Sequence, residues 1–302
     1  MRPLVVLLLL ALLLITSCTR LQLAPRYLSR CPVAGPDTAA DLGLRPVPID
    51  LDDFYASIRA RSDRFDITEL GSIHEDSVAY PILAIRRPGP AAQRRMLVVA
   101  GIHGNETAGL LAVPAILDLL ESDAPEARAW DVTIIAPANP VGVAHGSRYN
   151  GDGCDLNRDF GEPRTREARL IRDFIVAQPP DLIASLHEGP QDGYLLVATS
   201  RGSRALAEAA VHAVEEQGIA LARNHFVGLS LGTPGLSAEG RGTDFLKWAL
   251  RLKTLGNLAT SLGIGAYTTE TSWSSENLED RVLAHVVTVQ ALLAAGRQEH
   301  PR

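Results

Sequence analysis

The chain has 302 residues, of which 46% are hydrophobic and 21% are charged, and its formal net charge is −6. These values are typical of a globular protein with enough apolar side chains for a sizeable core. There is no excess of basic residues, so we exclude nucleic acid as a partner.

The first 17 residues predict a signal peptide. Arg2 precedes an apolar run over residues 4–15, and small residues follow that run, which is the pattern of a secretory signal. A bilayer-spanning helix needs about 20 residues, so the run is too short to be one. Residues 14–18 resemble the lipobox of bacterial lipoproteins, in which the cysteine is acylated; a plain secretory signal is the alternative. With Thr19 next, the resemblance implies a periplasmic protein anchored in the outer membrane.

Residues 18–48 predict a tether that begins at the lipidated Cys18. Its prolines favour an extended chain: Pro25, Pro32, Pro36, Pro46 and Pro48. Two other cysteines remain in the mature chain, Cys31 in the tether and Cys154 in the folded domain of residues 49–302. An oxidising periplasm permits a disulfide between them, and two separate buried thiols are the alternative.

Apolar periodicity over residues 49–302 predicts strands that alternate with helices. The predicted strands cover residues 67–70, 78–85, 96–100, 132–136, 182–186, 194–198 and 266–269. The predicted helices cover residues 50–61, 107–120, 165–177, 203–217, 245–262 and 277–295. Pro137 and Pro140 argue against a helix directly after the fourth strand. The alternation is typical of one α/β domain whose central sheet is covered by helices on both faces.

Metal-binding or titratable side chains follow three of these strands. His103 and Glu106 come after residues 96–100, His187 after 182–186, and Glu270 ends the last strand. Ligand sites of open α/β sheets lie at the carboxyl ends of the strands, so these side chains are expected to converge. His103, Glu106 and His187 are predicted zinc ligands, because three protein ligands leave the open position of a catalytic site. Glu188 is an alternative ligand or base, although neighbours on a strand point opposite ways.

Glu270 and one polar loop supply the remaining chemistry. A carboxylate at the end of an apolar strand suits a general base, which takes a proton from water and passes it to a leaving amine. A salt-bridged structural glutamate is the alternative. The loop over residues 146–160 carries Arg148, Asn157 and Arg158. Guanidinium and amide groups bind carboxylates, and an arginine can stabilise an oxyanion; a solvated polar loop is the alternative.

These segments, in this order, resemble the zinc carboxypeptidase family: His103-Gly104-Asn105-Glu106, Arg148 with Asp155-Leu156-Asn157-Arg158, His187 and Glu270. Asn139-Pro140-Val141-Gly142 resembles the lead-in found in compact bacterial members that act on murein peptides. The resemblance covers about residues 45–295 of the chain. The related aspartoacylase and succinylglutamate desuccinylase branch shares the run Asp-Leu-Asn-Arg, so the chemistry is better supported than the substrate.

The resemblance implies a mixed central sheet and a metallocarboxypeptidase-like catalytic domain over residues 49–302. His103, Glu106 and His187 would hold one Zn²⁺ per chain. Arg148 would polarise the scissile carbonyl, and Glu270 would be the general base. The expected activity is that of a zinc metallopeptidase or amidase.

The substrate side of the resemblance concerns a free carboxylate, which Asn157 and Arg158 would bind. The expected function is hydrolysis of an amide beside that carboxylate, with a periplasmic murein peptide as the preferred substrate. Deacylation of an N-acyl amino acid is the alternative within enzymes. A non-catalytic, peptide-binding lipoprotein attached to the membrane through Cys18 is the alternative from another class.

The chain departs from the family at one point. Peptidases of the family usually place a tyrosine on a loop roughly twenty residues before the base. Here Lys247 and Trp248 occupy that neighbourhood. Tyr149, Tyr194 and Tyr267 lie elsewhere in the sequence, so which tyrosine contacts substrate is left open.

Overall fold

The structure is a computed structural model that describes residues 29–36, 46–88, 94–122, 124–225, 230–240, 253–273 and 275–298. The predicted signal peptide, Cys18, Lys247 and Trp248 lie outside the described residues, as does most of the tether. Among the described residues, no helix is both long and apolar enough to cross a membrane.

The described chain forms one mixed sheet of eight strands, in the order β1-β2-β4-β3-β5-β8-β6-β7. The strands are β1 (Asp66–Glu75), β2 (Val78–Arg87), β3 (Arg94–Ala100), β4 (Trp130–Ala136), β5 (Leu182–Gly189), β6 (Leu195–Ala198), β7 (Leu236–Ala238) and β8 (Gly265–Ser272). The central strands β4, β3, β5 and β8 are parallel. Strand β2 is antiparallel to β1 and β4, and β6 is antiparallel to β8. The predicted α/β fold with a mixed sheet is confirmed.

The helices are α1 (Leu51–Arg59), α2 (Thr107–Leu111), α3 (Val113–Glu121), α4 (Pro125–Arg128), α5 (Pro140–His145), α6 (Arg166–Ala177), α7 (Arg204–Glu216), α8 (Leu255–Ser261) and α9 (Leu278–Gln298). A 3₁₀ turn covers Leu156–Arg158. Side chains of Asp50, Thr165 and Ser203 accept hydrogen bonds from the first turns of α1, α6 and α7. These residues precede the periodic segments in sequence, so the starts of the three helices were predictable.

Two proline-containing segments differ from the prediction. The predicted helix 107–120 is two helices that meet at Ala112. Pro114 lies in the first turn of α3, where its missing N–H has no partner to lose, whereas inside one continuous helix it would break the hydrogen-bond ladder. The expectation of no helix after β4 is wrong. Pro140 begins α5, and the Asn139 side chain accepts from Gly142 N, because proline is favoured at the first position of a helix.

The sheet buries one apolar cluster on each face. Strands β3, β4 and β5 are almost continuously buried, as expected of parallel strands covered on both sides. Helices α1, α2, α3, α7 and α9 contribute to the cluster on one face, and α6 and α8 to the cluster on the other. Because the central strands are parallel, their carboxyl ends lie together at one end of the sheet.

Candidate metal centre

Strands β3 and β5 bring the three predicted ligands together. The two strands are parallel neighbours, with Ala100 opposite Leu186. His103 and Glu106 lie in the turn between β3 and α2, and His187 lies near the end of β5. All three side chains are buried. Their candidate ligand atoms lie within 4.8 Å of one another.

The ligand atoms face each other at short range. His103 Nδ1 is 2.7 Å from Glu106 Oε1, and His187 Nδ1 is 2.7 Å from Glu106 Oε2. The two Nδ1 atoms are 3.2 Å apart. His103 Nε2 donates to the Asp155 carboxylate, so the tautomer that makes this bond turns the lone pair of Nδ1 towards Glu106. In that tautomer Nδ1 carries no proton and can bind a metal ion, and two imidazole nitrogens with a carboxylate are a donor set that fits zinc.

Electrostatics in the cluster also favour a cation. Burial and Arg148 lower the pKa of His103, but the Glu106 and Asp155 carboxylates raise it overall. Burial opposes ionisation of Glu106, yet His103 and His187 hold its pKa well below the usual range. The raised pKa of His103 and the lowered pKa of Glu106 both show that positive charge is favoured between these side chains.

Asp155 is a site residue that the sequence analysis missed. Its Oδ1 accepts from His103 Nε2 at 3.1 Å, and its Oδ2 accepts from Arg148 Nη2 at 2.9 Å. Ligating histidines usually donate their second N–H to such a carboxylate, which orients the ring. The available signal was that Asp155 begins the run Asp155-Leu156-Asn157-Arg158. Its role depends on a contact with a residue 52 positions away, which no local pattern records.

Arg148 makes direct contact with the candidate ligand side chains. The side chain is buried, and Nη1 donates to Glu106 Oε1 at 3.2 Å. Helix α5 is followed by Gly146, which has a φ of 58° and caps the helix in the left-handed conformation two residues before Arg148. A Cβ added at Gly104 would lie 1.9 Å from the Gly142 carbonyl carbon. Glycine at position 104 therefore lets the turn that carries the ligands pack against α5.

Strand β8 places Glu270 beside the three candidate metal ligands. It pairs with β5 in parallel so that Glu270 lies opposite His187, and paired residues share a face of the sheet. Burial raises the pKa of Glu270 to about 7. Gln191 Nε2 donates to the backbone oxygen of Glu270 at 2.9 Å. The predicted base is thus held next to a predicted ligand, with a pKa suited to proton exchange near neutral pH.

Glu188 is neither a ligand nor the base. Its side chain points away from His187, and Oε2 accepts from Arg281 Nη1 of α9 at 2.6 Å. Its Oε1 accepts from Ala108 N at 2.9 Å. The alternative raised for Glu188 is therefore wrong, because alternation along β5 sends the side chain to the opposite face.

Asn157 and Arg158 lie on the 3₁₀ turn beside Asp155. Asn157 Oδ1 accepts from Leu255 N at 2.9 Å, and Arg158 Nη1 donates to the backbone oxygen of Asn157 at 2.9 Å. Both side chains are partly exposed. The structure places them directly after Asp155 on the same turn, and their predicted role in carboxylate binding stays a prediction.

The three tyrosines considered for substrate contact lie in the interior of the domain. Tyr194 Oη lies 2.6 Å from Thr288 Oγ1, and Tyr267 Oη donates to the backbone oxygen of Ser203 at 3.1 Å. Tyr149 is also buried. Tyr194 and Tyr267 therefore serve packing and do not face the cluster.

A disulfide joins Cys31 to Cys154, which decides between the two alternatives for these cysteines. Residues 29–36, which we call the arm, thereby lie against the loop that contains Asp155. Asp155 N donates to the backbone oxygen of Arg30 at 2.7 Å. Arg30 Nε forms an ion pair with Asp159 Oδ1 at 3.2 Å.

Comparison with known sequences agrees with this geometry. Residues 92–225 match the succinylglutamate desuccinylase/aspartoacylase catalytic domain. The chain is 34% identical over 85 residues to murein peptide amidase A of Escherichia coli, a match that covers 28% of this chain and 33% of the amidase. It is 26% identical over 122 residues to carboxypeptidase 2 of Trichophyton rubrum, covering 37% of this chain and 23% of that protein. Each match spans a third or less of the relative's length.

Solved structures share the fold over most of the chain. A protein of Shewanella amazonensis described as a metallopeptidase has a TM-score of 0.65 and 19% identity, covering 82% of this chain and 93% of its own. A metallo-carboxypeptidase of Burkholderia cenocepacia has a TM-score of 0.62 and 17% identity, covering 84% and 70%. At these identities the likeness establishes the architecture of the domain.

Proposed function

We propose that the chain, which resembles the zinc carboxypeptidase-like family, is a zinc-dependent hydrolase that cleaves an amide bond beside a free carboxylate. One observation carries this proposal. Three ligand atoms from His103, Glu106 and His187 converge within 4.8 Å, and Glu270 lies opposite His187 in the β5–β8 register. A general base beside a three-ligand site is the arrangement of a metal-assisted hydrolase.

The three ligands would hold the zinc ion, which when bound supplies a Lewis acid that polarises a carbonyl and activates water near neutral pH. Glu270 takes the proton of the attacking water and delivers it to the nitrogen of the leaving amine. Arg148 contributes positive charge where the carbonyl oxygen becomes negative. Asp155 holds both His103 and Arg148 in position through its two oxygens.

Asn157 and Arg158 are the proposed binding groups for the substrate carboxylate. Since Asn157 Oδ1 accepts from Leu255 N, the amino group of the side chain is the part left for an anion. The partly exposed guanidinium of Arg158 offers a planar fork that matches a carboxylate. This pair would restrict cleavage to amides next to a terminal carboxylate.

A murein peptide in the bacterial periplasm is the substrate we propose. The signal-peptide pattern over residues 1–17 and the lipobox ending at Cys18 support export and a lipid anchor. The name of the related Escherichia coli amidase supports a murein peptide for this chain. The match over residues 92–225 favours deacylation of N-acyl amino acids as the second candidate. A non-catalytic binding lipoprotein is less consistent with a base placed beside the ligands.

A substrate screen with one variant tests the proposal. Purified mature protein, with its zinc content measured, is incubated with murein peptides, N-acyl amino acids and plain dipeptides, and the products are identified by mass. We expect cleavage next to a free carboxylate. Arg158→Ala should chiefly raise KM for the free-carboxylate substrate, while the same substrate with its carboxylate amidated should be poor already and lose little more.

Arg128→Ala is the matched control. Arg128 is exposed on α4, which directly precedes β4 and so lies at the amino-terminal end of that strand, opposite the candidate site. Its replacement should leave KM unchanged. Equal losses for free and amidated substrates in Arg158→Ala would mean that the arginine does not bind the carboxylate. No turnover of any substrate by the zinc-loaded protein would favour the binding lipoprotein instead.

A further inference from the structure

We propose that the arm, residues 29–36, is a positioning element of the metal site, so that the Cys31–Cys154 disulfide strengthens zinc binding. The arm precedes the predicted catalytic domain in sequence and contacts the loop over residues 150–159. Three separate contacts join the arm to that loop: the disulfide, a backbone hydrogen bond and an ion pair. The proposal depends on the proposed function only in taking His103, Glu106 and His187 as metal ligands.

The backbone hydrogen bond connects the arm to Asp155, which contacts the candidate metal ligand His103. Asp155 N donates to the oxygen of Arg30 at 2.7 Å, and Arg30 is the residue before the bridged Cys31. The Asp155 side chain accepts from His103 Nε2 and from Arg148. The arm therefore fixes the main chain of a carboxylate that contacts both the His103 ring and the Arg148 guanidinium.

The second and third contacts hold the ends of the same loop segment. Cys154, bridged to Cys31, directly precedes Asp155. Arg30 Nε pairs with Asp159 Oδ1 at 3.2 Å, and Asp159 Oδ2 accepts from Thr165 N at 2.8 Å. Because the segment is held on both sides of Asp155, the carboxylate has little freedom to leave His103 while the arm is in place.

The packing of the arm is close enough to require a glycine. Gly153 has a φ of 73°, and a Cβ added there would lie 2.1 Å from the backbone oxygen of Val33. Any side chain at position 153 would therefore displace the arm while leaving both cysteines present. Gly218 offers a matched position, since its φ is 76° and a Cβ there would have no neighbour within 4 Å among the described residues.

The expected consequence is a change in metal affinity. Partners that orient a metal-bound histidine typically contribute 10–100-fold to affinity. Loss of the bridge leaves Asp155 in the chain but releases its main chain, so the effect should fall at the lower end of that range. Zinc binding would then be tightest only after oxidation of the cysteines, which links assembly of the site to an oxidising compartment.

The test measures zinc Kd by competition with a chromophoric chelator, using the mature protein purified with its disulfide formed. The double variant Cys31→Ser, Cys154→Ser should bind zinc about tenfold more weakly. Removing a disulfide also lowers global stability, so the Tm is recorded beside the Kd. A lower Tm with a Kd within twofold of wild type would overturn the proposal, because the bridge would then be only a cross-link.

A second pair of variants keeps the test independent of the cysteines. Gly153→Ala and Gly218→Ala impose a similar backbone strain, but only the first displaces the arm. We expect weaker zinc binding in Gly153→Ala and wild-type Kd in Gly218→Ala. An equal Kd in the two variants would overturn the proposal even if the double cysteine variant does not fold.

A thermodynamic cycle tests the route through Asp155. Asp155→Asn should itself weaken zinc binding, and removal of the bridge in that background should add little, because the arm acts on a group already lost. Full additivity would contradict the proposed route. A wild-type protein that binds no zinc would disprove the metal site and this inference together, whereas tight binding without turnover would disprove only the hydrolase.

Discussion

At the residue scale, the site is built by alternation along two neighbouring strands. His187 of β5 and Glu270 of β8 face the ligand cluster. The next residue on β5, Glu188, and Thr269 on β8 face the opposite side, where they contact Arg281 and His285 of α9. Each strand therefore places a side chain of the candidate site on one face and a side chain that contacts α9 on the other.

Substitution of Glu270, the proposed base, isolates its part in the chemistry. Glu270→Gln keeps the size and hydrogen-bonding capacity of the side chain but removes its ability to accept the proton of water. We expect zinc content to stay at the wild-type level and kcat to fall by about 10²–10⁴, the usual contribution of a general base. Glu279→Gln, an exposed position on α9, is the control. A kcat within tenfold of wild type in Glu270→Gln would transfer the role of base to another group.

The residues at strand ends were predictable, and their partners were not. His103, His187 and Glu270 each follow an apolar run, and the carboxyl edge of a parallel sheet brings such residues together wherever they lie in the chain. Asp155 has no comparable signal, since its role follows from its distance to His103. The pairing of Cys31 with Cys154 was likewise undecided, because a sequence contains no distances.

At the element scale, α9 holds the two strands that carry His187 and Glu270. Arg281 of α9 pairs with Glu188 on β5, and His285 lies 2.7 Å from Thr269 Oγ1 on β8. The helix and both strands were predictable from apolar periodicity. Their arrangement was not, because β5 and β8 are neighbours in the sheet but far apart in sequence, and only the folded register places Glu270 beside His187.

His285 on α9 is expected to make the stability of the fold depend on pH. Burial lowers the pKa of His285 to about 3, against an ordinary value near 6.5. Between these values the unfolded chain binds a proton that the folded chain does not, so stability falls as the pH decreases from 6.5 towards 3. At pH 5 this amounts to about 2 kcal/mol of unfolding free energy relative to neutral pH.

Urea unfolding at pH 7.5 and pH 5.0, with chelator present so that zinc release does not contribute, measures this effect. His285→Gln removes the titrating ring, and the difference in unfolding free energy between the two pH values should shrink by about 2 kcal/mol. His74→Gln, an exposed position on β1, is the matched control and should keep the wild-type difference. An unchanged difference in His285→Gln would show that the acid sensitivity originates elsewhere.

At the scale of the whole molecule, the arm brings the start of the described chain to the functional edge of the sheet. Arg30 contacts Asp155, and Cys18 lies only 12 residues before Arg30 in the sequence. An extended chain spans at most about 3.3–3.6 Å per residue. If Cys18 carries the proposed lipid, the metal centre is therefore held within roughly 40–50 Å of the membrane surface.

The proposed lipid anchor at Cys18 would determine where the proposed enzyme works and would leave its activity unchanged. Cys18→Ala should abolish lipidation, because the lipid of a bacterial lipoprotein is attached through this cysteine, and the protein should leave the membrane fraction. One acyl chain holds a protein only marginally and several hold it firmly, so fractionation after a salt wash is the appropriate measurement. Zinc content and kcat on a soluble substrate should stay at wild-type values, since Cys18 precedes every contact of the arm. If Cys18→Ala still sediments with salt-washed membranes, the protein is held by something other than a lipid at this cysteine, and the lipobox interpretation is wrong.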